Sequence, residues 1–225
     1  ILFSVTGYTE LALDEAAEGS QLHQNLCQVL AAGNRARDLV RQILAITRNE
    51  KQAFRPVAVS GLVREALETL RVGFPSTVAL RENICHEQLT VNADPVQLHQ
   101  VIANLAANAG HAMQGRDGGV EVKVTRFCLD PETRLSHPDA AAGDYARISV
   151  SDTGPGIDKQ DLGKIFEPYF TTRDEGTGTG LGLSIVHGIV KVHKGFLTVD
   201  SEPGCGSVFH VHLPLARSEE DPPDL

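Results

Sequence analysis

Long apolar runs, closely spaced cysteines and an excess of basic side chains are all missing from this 225-residue chain. Each absence closes a class of function. No uninterrupted apolar stretch approaches the roughly 20 residues that cross a bilayer as a helix. The four cysteines, Cys27, Cys85, Cys128 and Cys205, lie far apart and form no Cys-x-x-Cys. Zinc sites and disulfide frameworks draw on close, patterned spacings, so these read as free thiols in a reducing compartment. The net charge of −9 makes non-specific nucleic-acid binding a poor fit, because that binding depends on phosphate neutralisation by Lys and Arg. The start, Ile1-Leu-Phe-Ser-Val-Thr-Gly7, carries neither an initiator Met nor a basic n-region, and reads as a segment of something longer. What is present suffices for a folded core: 41% of residues are hydrophobic and 22% charged.

Two textures divide the chain. Residues 1 to about 18 pattern as a helix, with Gly19-Ser20 as a break and cap. From Leu22 the apolar and small positions Leu26, Val29, Gly33, Ala36, Val40, Ile43 and Thr47 recur in alternating steps of four and three. That is a narrow heptad seam, with small residues in the middle for close helix approach. Such a seam calls for the first helix and a partner chain, hence a hairpin that dimerises into a four-helix bundle. Arg55-Pro56 marks the boundary at which helix gives way to mixed strands and helices. Asp94-Pro95 opens a helix bearing Val96, Leu98, Val101, Ile102, Leu105, Ala109 and Met113. Val120–Phe127 and Ala146–Val150 alternate as strands around a loop from Pro131 to Gly143. A helix over Leu183–Val192 and two closing strands follow. Without regular βαβ alternation, an α/β sandwich fits better than a doubly wound sheet.

Three groups carry chemistry. Asn104 and Asn108 stand four residues apart, on one face of the helix opened by Asp94, with His111 one turn on. Amides on an apolar helix cost desolvation unless they meet a polar partner, either neighbouring backbone or a magnesium ion that also binds phosphates. Asp152-Thr-Gly154-Pro-Gly156-Ile157 follows a strand, so a carboxylate and two glycines are placed to receive a flat polar ring and its exocyclic amine. Gly176-Thr-Gly178-Thr-Gly180-Leu-Gly182-Leu-Ser184 opens a helix, where bare N–H groups and the helix dipole suit an anion. No Gly-Lys-Ser/Thr occurs, which excludes a Walker loop, and the glycine spacing fails the dinucleotide pattern. His210-x-His212 puts two rings on one strand face, where packing is the simpler reading than a metal site.

Asn104…Asn108, Asp152–Ile157, Phe166-Glu-Pro-Tyr-Phe170, Gly178–Leu183 and Gly204-Cys-Gly-Ser207 occur in this order. Together they resemble the nucleotide-binding boxes of bacterial sensor histidine kinases, within the gyrase- and MutL-type (GHKL) ATP fold. Gly7–Leu13 resembles the first dimerisation helix of kinases related to the nitrogen-regulatory and hybrid types. The resemblance implies an α+β fold, with a helical hairpin over 1–54, a Bergerat-type α/β sandwich over 55–216 and an acidic tail or linker over 217–225. It implies that Asp152 binds the adenine amine, with Gly154, Gly156 and Ile157 around the base. Asn108 would hold Mg2+, Asn104 and His111 would lie near the phosphates, and Gly178, Thr179, Gly180, Leu181, Gly182 and Leu183 would meet the triphosphate. Phe166 to Thr179, with Phe170, Thr172 and Arg173, would form the lid, and Ser207 replaces a more usual Thr.

Hydrolytic members of this fold place a Glu four residues before the magnesium Asn to activate water. Asn104 stands there instead, and an amide takes up no proton near neutral pH. That favours ATP-dependent transfer to a protein histidine over hydrolysis, with a dimeric GHKL ATPase or a nucleotide-binding scaffold as the alternatives. The resemblance implies a homodimer through the hairpin and a response-regulator receiver domain as partner. It also implies a cytoplasmic location without membrane contact in this segment, whether or not the parent is membrane-attached. The phosphoacceptor histidine is expected upstream of Ile1. His23, flanked by Gln21, Gln24 and Asn25, matches no acceptor box, and His99, His187 and His193 read as structural.

Overall fold

The computed structural model describes residues 2–47, 54–71, 74, 78–113, 116–130, 140–172 and 179–216. The acidic tail 217–225, most of the 131–143 loop, Arg48 at the end of the seam helix, and the candidate site residues Arg173 and Gly178 lie outside that set. Two compact units result: residues 1–52 with Tyr169–Leu181, and Ala53–Pro168 with Gly182–Leu225.

In the first unit, α1 (Leu2–Glu15) packs on α2 (Gln21–Thr47). Gly19 turns the chain at φ 78°, and the Ser20 hydroxyl accepts the His23 amide to cap α2. The helices approach where Gly33 has no side chain: a Cβ there would stand 2.9 Å from Thr6 Cγ2. Among the described side chains of α1 the buried ones are the polar Thr6 and Thr9, the latter donating to the Val5 carbonyl at 2.8 Å. Leu11 of α1 and the seam residues Leu22 and Val29 are exposed, together with Val5 and Tyr8. Within one chain the hairpin therefore covers its small and polar middle and leaves a row of large apolar side chains outside.

The second unit is built on a five-stranded sheet of order β2-β4-β5-β7-β6, formed by β2 (Val78–Ile84), β4 (Gly118–Leu129), β5 (Gly143–Asp152), β6 (Phe196–Glu202) and β7 (Gly206–Pro214). Among the described residues of this sheet only β2 and β4 pair in parallel. A small antiparallel pair, β1 (Arg55–Ala58) and β3 (Thr90–Ala93), joins the end of β7 through a bridge between Val91 and Leu215. Helices α3 (Val59–Arg71), α4 (Pro95–Ala112) and α5 (Gly182–Val192) form the second layer. Valine alternation in β4 buries Val120, Val122 and Val124 beneath Leu98, Val101, Ile102 and Leu105 of α4. The opposite face carries a smaller cluster of Leu129, Ala140, Tyr145 and Phe196, with Phe127 against it. Strand β1 takes in Arg55 and Pro56, and Val59 is the first residue of α3. Val96, among the apolar residues of α4, is 77% exposed because it lies in the first turn, next to the cap.

Candidate functional site

Helix α4 supplies the frame. The Asp94 carboxylate accepts the Val96 amide at 2.9 Å and the Gln97 amide at 3.4 Å, and Pro95 occupies the first turn. The start of α4 is held from outside as well: the Asp94 amide donates to His193 Nε2 at 3.1 Å, while His193 Nδ1 donates to the Ile189 carbonyl at 2.8 Å. Both bonds require neutral imidazole, and burial holds the His193 pKa below its ordinary value. His193 is thus a structural fastener, as its sequence context suggests.

Asn104 and Asn108 project from α4 against the first residue of α5. A Cβ on Gly182 would lie 3.6 Å from Asn108 Nδ2 and 3.9 Å from Asn104 Oδ1, so the absent side chain leaves the helix N-terminus open beside both amides. Asn104 Nδ2 is buried with no hydrogen-bond partner. An orphaned buried donor carries a desolvation cost that a bound acceptor would remove. Amide oxygens are hard ligands of the kind that suit Mg2+, and the residues present fit that ion. His111 follows on the last turn of α4 and is exposed.

Asp152 ends β5 and is only 7% exposed. Its Oδ1 accepts the Gly154 amide at 2.9 Å, and the Ser207 amide also bonds the carboxylate. Burial raises its pKa above the ordinary 3.8, and the two N–H groups pull in the other direction. The turn that follows accepts only glycine at two points. At Gly154 a Cβ would stand 2.8 Å from Asp152 Oδ1 and 3.0 Å from the Ala112 Cβ on α4. Gly156 has φ 72°, and a Cβ there would strike the Glu202 carbonyl. The Asp152 turn therefore packs against the end of the helix that carries the two asparagines. Three predicted groups, α4's amides, the strand-end acid and the start of α5, are brought together.

Ser207, buried, is the register partner of Asp152 across β5 and β7. Ile157 is half-buried and donates its amide to Ser201 Oγ at 2.8 Å. Sequence reasoning passed over Ser201; its signal was its place opposite Ser207 in the hairpin that turns through Pro203-Gly-Cys-Gly206. Leu183 is half-buried in α5.

Phe170, Thr172, Thr179, Gly180 and Leu181 fall in the other unit. There the Tyr169 amide donates to the Gly180 carbonyl at 3.0 Å, and Gly180, at φ 65°, has its missing Cβ occupied by Tyr169 backbone. Tyr169 itself adopts φ 67°. Phe170 is half-buried, Leu181 buried, and Thr172 and Thr179 exposed, with Thr179 Oγ1 accepting the Leu181 amide at 3.4 Å.

The two histidines of β7 pack as the alternation implies. His212 is buried and stacked on Phe196 at 4.2 Å, and His210 spans Ser149 Oγ at 2.7 Å and Asp200 Oδ2 at 3.1 Å. Among the described residues no cluster of His, Cys, Asp and Glu could hold a metal, and no helix is long and apolar enough to cross a membrane.

A three-helix layer on a mixed sheet, with a buried strand-end acid and paired helix amides facing a helix N-terminus, defines an ATP-binding α/β sandwich. Residues 93–217 match the family described as histidine kinase-, DNA gyrase B-, and HSP90-like ATPase, and the chain belongs to that family. Its similarities lie on the kinase side. The sensor kinase CckA of Brucella abortus (strain 2308) is 34% identical over 98% of this chain and 23% of its own length. The sensor histidine kinase ZraS of Escherichia coli (strain K12) is 34% identical over 98% of this chain and 44% of its own length. The full-length structure of ShkA in complex with AMPPNP superposes with a TM-score of 0.67 at 25% identity, covering 96% of this chain and 43% of that one. The chain thus carries an ATP-binding domain of this family, similar to those of sensor histidine kinases, and spans less than half the length of these relatives.

Proposed function

We propose that this chain is the catalytic region of a protein that transfers the γ-phosphoryl group of ATP to a histidine, from which it passes to a response-regulator aspartate. Residues 1–54 serve as the dimerisation hairpin and 55–216 as the catalytic domain. Asp152 carries the reading: a buried carboxylate, fixed by two amides at the start of a glycine turn, accepts from the purine's exocyclic amine. Asn108 holds Mg2+ by its amide oxygen, and the bound ion supplies charge neutralisation on the phosphates. Asn104, with its unmet donor, and His111 bind phosphate oxygens alongside the N-terminus of α5. Phe166–Thr179 acts as the lid. Because Asn104 stands where hydrolytic relatives carry a base, water near the γ-phosphate is not activated, and the phosphoryl group is kept for a protein nucleophile. The exposed row of Tyr8, Leu11, Leu22 and Val29 supports a homodimer through the hairpin, since a second copy would cover it.

The test is a pair of measurements on the 225-residue chain. Calorimetric titration with ADP and Mg2+ should show one site per chain. Incubation with radiolabelled ATP should leave the chain unlabelled, because His23, flanked by Gln21, Gln24 and Asn25, matches no acceptor box. Acid-labile label mapped to His23 would make that residue the acceptor and overturn its exclusion, and sustained phosphate release would revive the ATPase alternative.

A further inference from the structure

Ser201 belongs to none of the motifs, yet three groups of the nucleotide site meet at its hydroxyl. It accepts the Ile157 amide at 2.8 Å, donates to the Gly206 carbonyl at 2.9 Å and lies 3.0 Å from Ser207 Oγ. Ser207 in turn bonds the Asp152 carboxylate through its backbone amide. The two glycine turns are also linked by the Gly204 amide, which donates to the Pro155 carbonyl at 2.7 Å.

A serine hydroxyl has one proton and two lone pairs. A carbonyl cannot donate, so Ser201's proton is committed to Gly206. The Ile157 amide takes one lone pair, and the Ser207 hydroxyl must donate into the other. Ser201 is thereby saturated, and it fixes which way the Ser207 proton points. What Ser207 offers beside Asp152 is then lone pairs alone. The edge formed by Asp152 and Ser207 presents only acceptors, and it suits a ligand edge, or a bridging water, that presents donors. An exocyclic amine meets that requirement; a 6-oxo group in its place sets oxygen against oxygen.

We infer that Ser201 is a positioning residue for base recognition, acting through Ser207 and the Asp152 turn to make the site discriminate 6-amino from 6-oxo purines. The inference rests on the nucleotide reading above. Without the Ser201 hydroxyl, the Ile157 amide and Gly206 carbonyl lose their partner, the turn after Asp152 is released, and Ser207 regains a free donor. The 6-amino ligand then loses its advantage.

The experiment is titration of the 225-residue chain with ADP and with IDP, for the wild type, Ser201→Ala and Ser201→Thr. Loss of one or two hydrogen bonds supporting the site should weaken ADP about tenfold in S201A. IDP, which makes no amine bond to Asp152, should weaken much less, so the ADP preference falls about fivefold or more. Threonine, which keeps the hydroxyl, should restore it. Equal losses for both nucleotides would make Ser201 a general stabiliser only, and wild-type values in S201A would deny it any role. Should S201A not fold, Ser201→Cys, nearly isosteric and a weak hydrogen-bond partner, is expected to give the same loss of preference. A wild type that binds neither nucleotide overturns the nucleotide reading itself.

Discussion

Replacing Asp152 by asparagine separates what the carboxylate does for binding from what it does for stability. The asparagine side chain is close in shape, and its Oδ1 can take over the Gly154 amide bond now made at 2.9 Å. Its NH2 group is then left to face the purine amine, donor against donor. Hydrogen bonds to a charged group contribute about 1.5–3 kcal/mol, so D152N should bind ADP roughly 10- to 100-fold more weakly, towards the upper end because an attraction becomes a repulsion. Stability should move the other way. Burial raises the Asp152 pKa above 3.8, so at neutral pH the folded protein carries a charge it would shed more readily than the unfolded chain. D152N removes that penalty and should melt at the same or a higher temperature near pH 7. The folded wild type binds its proton first as pH falls, so its stability relative to D152N improves from the raised pKa down to 3.8 and is then level. Calorimetric titration with ADP, combined with thermal melts between pH 7.5 and about 4, reads both effects. Wild-type ADP affinity in D152N would refute the assignment of the acid, and a stability deficit near pH 7 would refute the dominance of burial over its two amide bonds.

Three other outcomes follow from the same geometry. Gly156→Ala combines φ 72° with a Cβ driven into the Glu202 carbonyl, and should destabilise the domain by about 2 kcal/mol or more by denaturant melts while weakening nucleotide binding. Asn108→Ala should abolish the strengthening of ADP binding by added Mg2+; a preserved magnesium effect would place the ion elsewhere. His187, His193 and His210 all have pKa values lowered chiefly by burial, so the unfolded chain takes up protons that the folded chain refuses as pH drops through 6.5. Stability should therefore decline from pH 6.5 downwards, and replacing His193 with glutamine should flatten part of that slope.

Much of this architecture was legible in local chemistry. Asp94-Pro95 announces the start of α4, the period-two valines announce β4, and a step of four places Asn104 beside Asn108. The steps of four and three around Gly33 anticipated how closely Thr6 approaches it. What could not be read depends on partners distant in sequence. That Gly154 must be bare because Ala112 lies over it, and Gly156 because Glu202 does, follows from packing between elements about 40 residues apart or more. The role of Ser201 is of this kind, since its bonds reach 44 residues back to Ile157. Leu22 and Val29, two positions of the narrow seam, are exposed within the single chain.

A crystal structure of the 225-residue chain grown with AMPPNP and Mg2+ tests the central claim most directly. The base should lie with its amine on the Asp152 carboxylate, the metal on the Asn108 amide oxygen, and a phosphate oxygen within hydrogen-bond reach of Asn104 Nδ2. Nucleotide bound anywhere else, or the Asp152 turn closed over by its own side chains at saturating ligand, would contradict it.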